Sequence, residues 1–179
     1  MNLKTATFLL LLLFLGCQDK PEQQQKKELA YFDLNGYFKK ESGRLSAASP
    51  YITKTVRIND SAETQKIRLN NWTKELEIFK DADINKAAWK GMFKVNKKAD
   101  TVVYTSDDEK IPVKEVSIFY RNAIDKNPHG LRIIINNSNI LYESRDTLIY
   151  YPDSVYQVKK TQDILLLSKK NYQITGKFQ

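Results

Sequence analysis

The chain has 179 residues, of which 41% are hydrophobic and 28% are charged, and its formal net charge is +8. Its 6 glycines and 5 prolines are too few for a disordered or linker-like protein. The single cysteine excludes an intramolecular disulfide. The single histidine excludes zinc sites of the usual type and cysteine–histidine catalytic dyads.

The first residues have the layout of an export signal. Lys4 supplies the positive charge, residues 5–15 form an apolar run, and Gly16 is a small residue before Cys17. The run is too short for a transmembrane helix, which needs about 20 residues. We therefore predict a signal peptide over residues 1–16.

The end of this signal, Leu13-Phe14-Leu15-Gly16-Cys17, resembles the lipobox of bacterial lipoproteins. The resemblance implies that Cys17 is lipidated with diacylglycerol and an acyl chain such as palmitate, and that it becomes the first mature residue. Gln18, in place of the Asp that retains proteobacterial lipoproteins in the inner membrane, favours the outer membrane. The alternative is an ordinary secretory signal with an incidental cysteine.

The remaining chain divides into a polar tether over residues 17–27 and a single domain over residues 28–179. Anchoring through the lipid makes the membrane the first partner, on either its periplasmic or its surface face. Export also argues against nucleic acid as a partner, despite the basic balance. The scattered lysine pairs are explained either by solvated strand edges or by attraction to anionic lipid head groups.

Two helices and a hairpin are predicted in the first half of the domain. Apolar residues share one face over 28–46, and Ser49-Pro50 ends that helix. Residues 51–58 and 63–69 alternate as two strands of a hairpin. Trp72, Leu76 and Phe79 are then spaced as in an amphipathic helix that begins after Asn70-Asn71.

From Met92 onward the pattern is β throughout, interrupted by turn residues such as Asn136-Asn137-Ser138. We therefore predict an α+β fold, in which an antiparallel meander forms a curved sheet or partial barrel covered by two amphipathic helices. The predicted strands are 92–97, 101–106, 111–121, 131–136, 139–144, 146–151, 154–160, 163–168 and 171–178.

Motifs that would indicate catalysis or metal binding are missing from the sequence. His129 lies in a turn-forming string, and no Gly-x-Ser-x-Gly elbow accompanies it. Asp81-x-Asp83-x-Asn85 opens like a calcium loop, but Met92 stands where the final Glu is required. We expect no enzyme activity, no cofactor and no metal.

Three aromatic residues flank or lie in the second helix. Trp72, Phe79 and Trp89 would border an apolar cavity if that helix closes the mouth of a half-barrel. The alternative is that they are anchors of the core.

Four Asp-Ser/Thr pairs precede a small or aliphatic residue and resemble the O-glycosylation sequence of Bacteroidota envelope proteins. The same string is also typical of a turn that leads into a strand. The predicted acceptor hydroxyls are those of Ser61, Thr101, Thr147 and Ser154.

The whole chain resembles a family of small uncharacterised lipoproteins of Bacteroidota. The resemblance rests on the lysine- and asparagine-rich composition, the lipobox and the strings 72–77, 82–86 and 148–154. It implies an envelope location and no catalytic residue. We expect a non-enzymatic lipoprotein that binds a hydrophobic ligand or an envelope partner, with a structural accessory subunit of an outer-membrane complex as the alternative.

Overall fold

The computed structural model describes residues 29–179, so the signal, Cys17 and the tether lie outside the described residues. This part of the chain contains nine strands, three α-helices and one short 3-10 helix at Ala87–Trp89. The helices are α1 (Leu34–Ala48), α2 (Trp72–Glu75) and α3 (Glu77–Asp81). The strands are β1 (Tyr51–Ile58), β2 (Ser61–Arg68), β3 (Lys94–Lys97), β4 (Thr101–Thr105), β5 (Val113–Phe119), β6 (Gly130–Asn139), β7 (Tyr142–Tyr151), β8 (Val155–Ile164) and β9 (Lys170–Phe178).

All nine strands form one antiparallel sheet with the order β2-β1-β9-β8-β7-β6-β5-β4-β3. Strands β3 to β9 pair in chain order, as predicted for a meander, and β9 then pairs with β1. The sheet is not closed, because β2 and β3 remain at its two edges. The fold is therefore an open antiparallel sheet accompanied by a few helices.

The helices pack against one face of the sheet through aromatic residues. The ring of Phe38 in α1 lies 5.3 Å from that of Tyr150 in β7. Phe79 in α3 lies 5.0 Å from Phe38, and Trp72 stacks on Phe178 at 5.6 Å. Because side chains of a strand alternate between faces, the helix-facing residues of β7 are its even-numbered ones, among them Asp146, Leu148 and Tyr150.

The helix boundaries differ from those predicted. Helix α1 begins at Leu34, because Asp33 caps it by accepting a hydrogen bond from the Gly36 amide at 2.7 Å. The predicted start at residue 28 is therefore wrong. The second helix is predicted to be capped by Asn70 or Asn71, and Asn71 is the cap, since its side chain accepts from the Lys74 amide at 2.9 Å. The helix that follows is interrupted at Leu76, which separates α2 from α3.

Three strand predictions are wrong. The strands expected at 139–144 and 146–151 are one continuous strand, β7 (Tyr142–Tyr151). The expected turn at 136–138 lies inside β6, where Asn136 and Asn137 pair with Arg145 and Ser144 of β7. The expected strand at 163–168 is instead the end of β8 followed by a turn, because β8 stops at Ile164. In the last two places local composition was overridden by the register of neighbouring strands.

Candidate functional site

An open cleft of about 790 Å³ lies between the sheet and the segment that carries α2, α3 and the 3-10 helix. Ligand sites are typically concave and roughly 300–1,000 Å³ in volume. The helical segment contributes Leu69, Asn71, Lys74, Glu75, Glu77, Ile78, Asp81, Ala82, Lys86 and Trp89. The sheet and the loop before β5 contribute Pro112, Val113, Ile135, Asn137, Asp146, Tyr156, Val158, Lys160 and Ile174.

The floor of the cleft consists of two neighbouring rows of strand residues. In one row Val158 of β8 lies opposite Ile174 of β9, and both are apolar. In the next row Ile135, Asp146 and Lys160 lie side by side on β6, β7 and β8. An apolar surface thus borders directly on a charged pair at the bottom of the cleft.

Asp146 is the unusual member of that pair. Its side chain is only 5% exposed, and its Oδ2 lies 3.4 Å from the Lys160 Nζ, a long distance for an ion pair. Among the described residues, its buried Oδ1 has no hydrogen-bond partner. Burial raises the pKa of Asp146 above its usual value, and the nearby Lys160 ammonium group and Ser144 hydroxyl oppose that rise.

Buried polar groups in proteins are nearly always satisfied, and an exception needs an explanation. Trp72 Nε1 and Asn136 Oδ1 also lack partners within residues 29–179, but neither residue lines the cleft. Asp146 is therefore the one residue among these three that lines the cleft.

A different polar cluster closes the side of the cleft towards the core. Glu75 of α2 accepts from the Tyr156 hydroxyl at 2.7 Å and pairs with Lys54 Nζ at 2.7 Å. Burial raises the pKa of Tyr156, so this hydroxyl remains a donor. Since every member is partnered, the cluster fixes α2 on the sheet and offers no free group for chemistry.

The three aromatic residues singled out by the sequence are placed differently. Trp89 is half-buried and lines the cleft, with Lys86 Nζ 4.3 Å from the centre of its ring. Trp72 and Phe79 are completely buried and belong to the core rather than to the lining. The structure therefore brings one of the three to the cleft.

Residues 29–179 contain no group of three histidine, cysteine or acidic side chains that could hold a metal ion. His129 is exposed, and its Nδ1 accepts from Arg121 Nε at 3.5 Å, far from the cleft lining. A second depression of about 960 Å³ beside α1 is bordered mostly by exposed charged and loop residues, including Lys39, Arg44, Lys126 and Asp153.

The four predicted acceptor hydroxyls differ in accessibility. Ser61 and Ser154 are exposed next to turns. Thr101 is half-buried, and its hydroxyl donates to Asp100 Oδ1 at 3.0 Å. Thr147 is half-buried in the middle of β7, between β6 and β8. Glycosylation at these positions stays a prediction.

Sequence reasoning missed Asp146 and Lys160 as site residues. The sequence does contain one indication of this site. In the alternating pattern of β7, the charged residue Asp146 shares the buried face with Leu148 and Tyr150. That signal becomes specific only when the register of β7 and β8 places Lys160 opposite it.

Comparison of the chain with protein-family models, curated proteins and solved structures found no match. None of the helices within residues 29–179 has the length and apolar character that a membrane crossing requires.

Proposed function

We propose that the protein is a non-enzymatic, lipid-anchored lipoprotein of the cell envelope that binds a hydrophobic ligand in the cleft beside Trp89. Cys17 carries the anchor, and the fold acts as a carrier whose helices cover part of a curved sheet. The outer membrane is the proposed location, on the argument from Gln18.

The observation that carries the proposal is the cleft itself. Its volume of about 790 Å³ lies in the range of small-molecule sites, and its walls are apolar at Ile78, Val158 and Ile174. A core filled without a remaining cavity would have favoured a purely structural role instead.

The charged pair narrows the class of ligand. An apolar chain would lie on Val158 and Ile174, while its polar end would reach Asp146 and Lys160. Because the Asp146 carboxylate borders the cleft and accepts hydrogen bonds, that polar end should donate one, as a hydroxyl or an amine does. We therefore expect a lipid-like molecule with a hydroxyl or amino group.

Photoaffinity labelling tests this proposal on the full chain in its own membrane. Cells would receive a long-chain amino alcohol that carries a diazirine and an alkyne, and the labelled peptides would be mapped by mass spectrometry. We expect label on the peptides that contain Trp89, Ile135 or Val158. Label confined to other surfaces would contradict the proposal.

A matched pair of variants makes the labelling specific. Val158→Trp would fill the cleft and should reduce cleft labelling about tenfold, which corresponds to roughly 1.4 kcal/mol of binding free energy. Gln157→Trp places the same side chain on the opposite face of β8, so it should leave cleft labelling unchanged. Equal effects of both variants would show that labelling does not report on the cleft.

The second candidate function is a structural accessory subunit of an outer-membrane complex. The observation in its favour is that both edge strands are open, because β3 is fully exposed and β2 is exposed at all but one residue. Native purification from membranes distinguishes the two functions. A stoichiometric protein partner without bound lipid would favour the accessory subunit.

A further inference from the structure

Two turns at one end of the sheet carry an exposed aliphatic cluster. The β6–β7 turn and the turn after β8 are adjacent, and the Leu165 amide donates to the Leu141 carbonyl oxygen at 3.0 Å. Five large side chains project from these turns: Ile140 (95% exposed), Leu141 (61%), Leu165 (58%), Leu166 (96%) and Leu167 (61%). We call these five residues the aliphatic tip.

The aliphatic tip has no structural explanation within the described chain. Leu166 has a backbone φ of 67°, in the left-handed region that glycine and asparagine adopt more readily than leucine. Its side chain is also almost completely exposed, so it adds nothing to the core. A residue that is poorly suited to its turn and contributes no packing points to an interaction outside the domain.

We propose that the aliphatic tip inserts into the interface of the lipid bilayer to which the protein is anchored. The tip holds five apolar residues, whereas a standard protein–protein interface uses about 20–30 residues on each side. A bilayer needs no matching shape and takes up aliphatic side chains at the boundary between head groups and acyl chains.

The charges around the tip limit the depth of insertion. Tyr142 of β7 and Ile164 of β8 are the strand residues next to the turns. Glu143 and Asp163 lie opposite each other one position further into the sheet. Carboxylates are costly within hydrocarbon, so only the turns can enter. Lys169 and Lys170 follow the aliphatic residues in the chain and are exposed, so we expect them to contact lipid phosphates.

This inference rests on the proposed lipid anchor at Cys17 and goes beyond the proposed ligand site. Leu29, the first described residue, follows Cys17 by twelve positions. A chain of that length can reach about 40 Å. A domain of this size has a radius of gyration of about 15 Å, so the anchor allows the tip to contact the same bilayer.

Site-specific fluorescence tests the inference with the full lipidated chain. Because Cys17 would be blocked by lipid, Leu166→Cys creates the one free thiol, to which an environment-sensitive fluorophore is attached. The protein is reconstituted in vesicles of phosphatidylethanolamine and phosphatidylglycerol, and quenching by lipids with a spin label on the acyl chain is measured. Ser154→Cys, in the exposed turn between β7 and β8 at the opposite end of the sheet, is the matched control.

We expect several-fold stronger quenching at position 166 than at position 154. Adding Ile140→Asn to Leu166→Cys should reduce that quenching without unfolding the protein, because Ile140 is almost fully exposed.

Equal quenching at both positions, or none at either, would overturn the inference. A blue shift at position 166 in native membranes but not in protein-free vesicles would also overturn it and would identify a protein partner. Labelling of the cleft is independent of these outcomes, so the two proposals can fail separately.

Discussion

The helix-facing side of the sheet is built in two different ways along the same strands. Where α1 and α2 cover it, the strands present Tyr150 and Tyr156, which are fully buried, and Tyr156 lies at the boundary because it also lines the cleft. Four residues away on those strands, at the cleft, they present Asp146 and Lys160 instead. The two regions share a register, so helix coverage is the main difference between them.

The covered region satisfies its own polar atoms. The Tyr150 hydroxyl donates to Glu41 of α1, and the Tyr156 hydroxyl donates to Glu75 of α2. In the cleft region no helix side chain reaches Asp146 Oδ1 among the described residues. The helices therefore satisfy the polar atoms of the sheet in one region and leave Asp146 Oδ1 without a partner in the other.

The largest expected effect is a difference in the free energy of unfolding between a variant in the covered region and a variant in the cleft. Phe79→Ala removes a completely buried ring between Phe38 and Tyr150, and it should lower the free energy of unfolding by about 3–5 kcal/mol. Trp89→Ala, at the half-buried wall of the cleft, should cost less than half as much. Urea unfolding of both variants measures the difference. Equal losses would show that the cleft wall is part of the core.

A glycine substitution tests how tightly the covered region is packed. A Cβ atom at Gly176 would overlap with the ring of Tyr156 on the neighbouring strand. Gly176→Ala should therefore lower the free energy of unfolding by about 1–3 kcal/mol. Gly43→Ala is the control, since nothing lies within 4 Å of the added atom, and in the middle of α1 it should stabilise by about 0.5–1 kcal/mol. Thermal unfolding that ranks the variants in the reverse order would contradict this packing.

The smallest expected effect concerns the pH dependence of the cleft. Because burial raises the pKa of Asp146 in the folded state, this residue favours folding most below its unfolded pKa of about 3.9. That contribution is lost as the pH rises through the raised pKa. The free energy of unfolding of the native chain, relative to Asp146→Asn, should thus fall as the pH rises through this range.

Unfolding in urea at a series of pH values measures this slope. Lys160→Met removes the ammonium group that opposes the shift, so it should make the slope steeper. Parallel curves for the native chain and Asp146→Asn would show that the cleft does not perturb this carboxyl group.

Local chemistry predicted several elements of the fold correctly. Asn71 caps α2 as predicted, since its side chain is a good acceptor for free helix amides. The hairpin of β1 and β2 forms around Asn59 and Asp60, whose sequence is typical of a turn. The antiparallel order of β3 to β9 also follows from short strands separated by turns.

Other features could not be predicted, because they depend on pairing between distant strands. Residues 136–138 have the composition of a turn, yet they extend β6 because β7 offers continuous partners. The run Leu165-Leu166-Leu167 has the composition of a strand, yet it forms an exposed turn. For the candidate site, the sequence indicated Trp89, but it could not indicate that Asp146 faces Lys160.

The sequence by itself determined the alternation of strands, the cap of α2 at Asn71 and the apolar residues that form the core, since these depend on neighbours a few positions apart. It also carries the prediction of a lipid anchor at Cys17, which rests on a short linear motif. Only the tertiary structure decided which inward positions are covered by helices and which remain open in the cleft. It also decided that two aliphatic turns meet at one end of the sheet. Both outcomes depend on the register of strands that are distant in the chain, which local patterns of hydrophobicity do not specify.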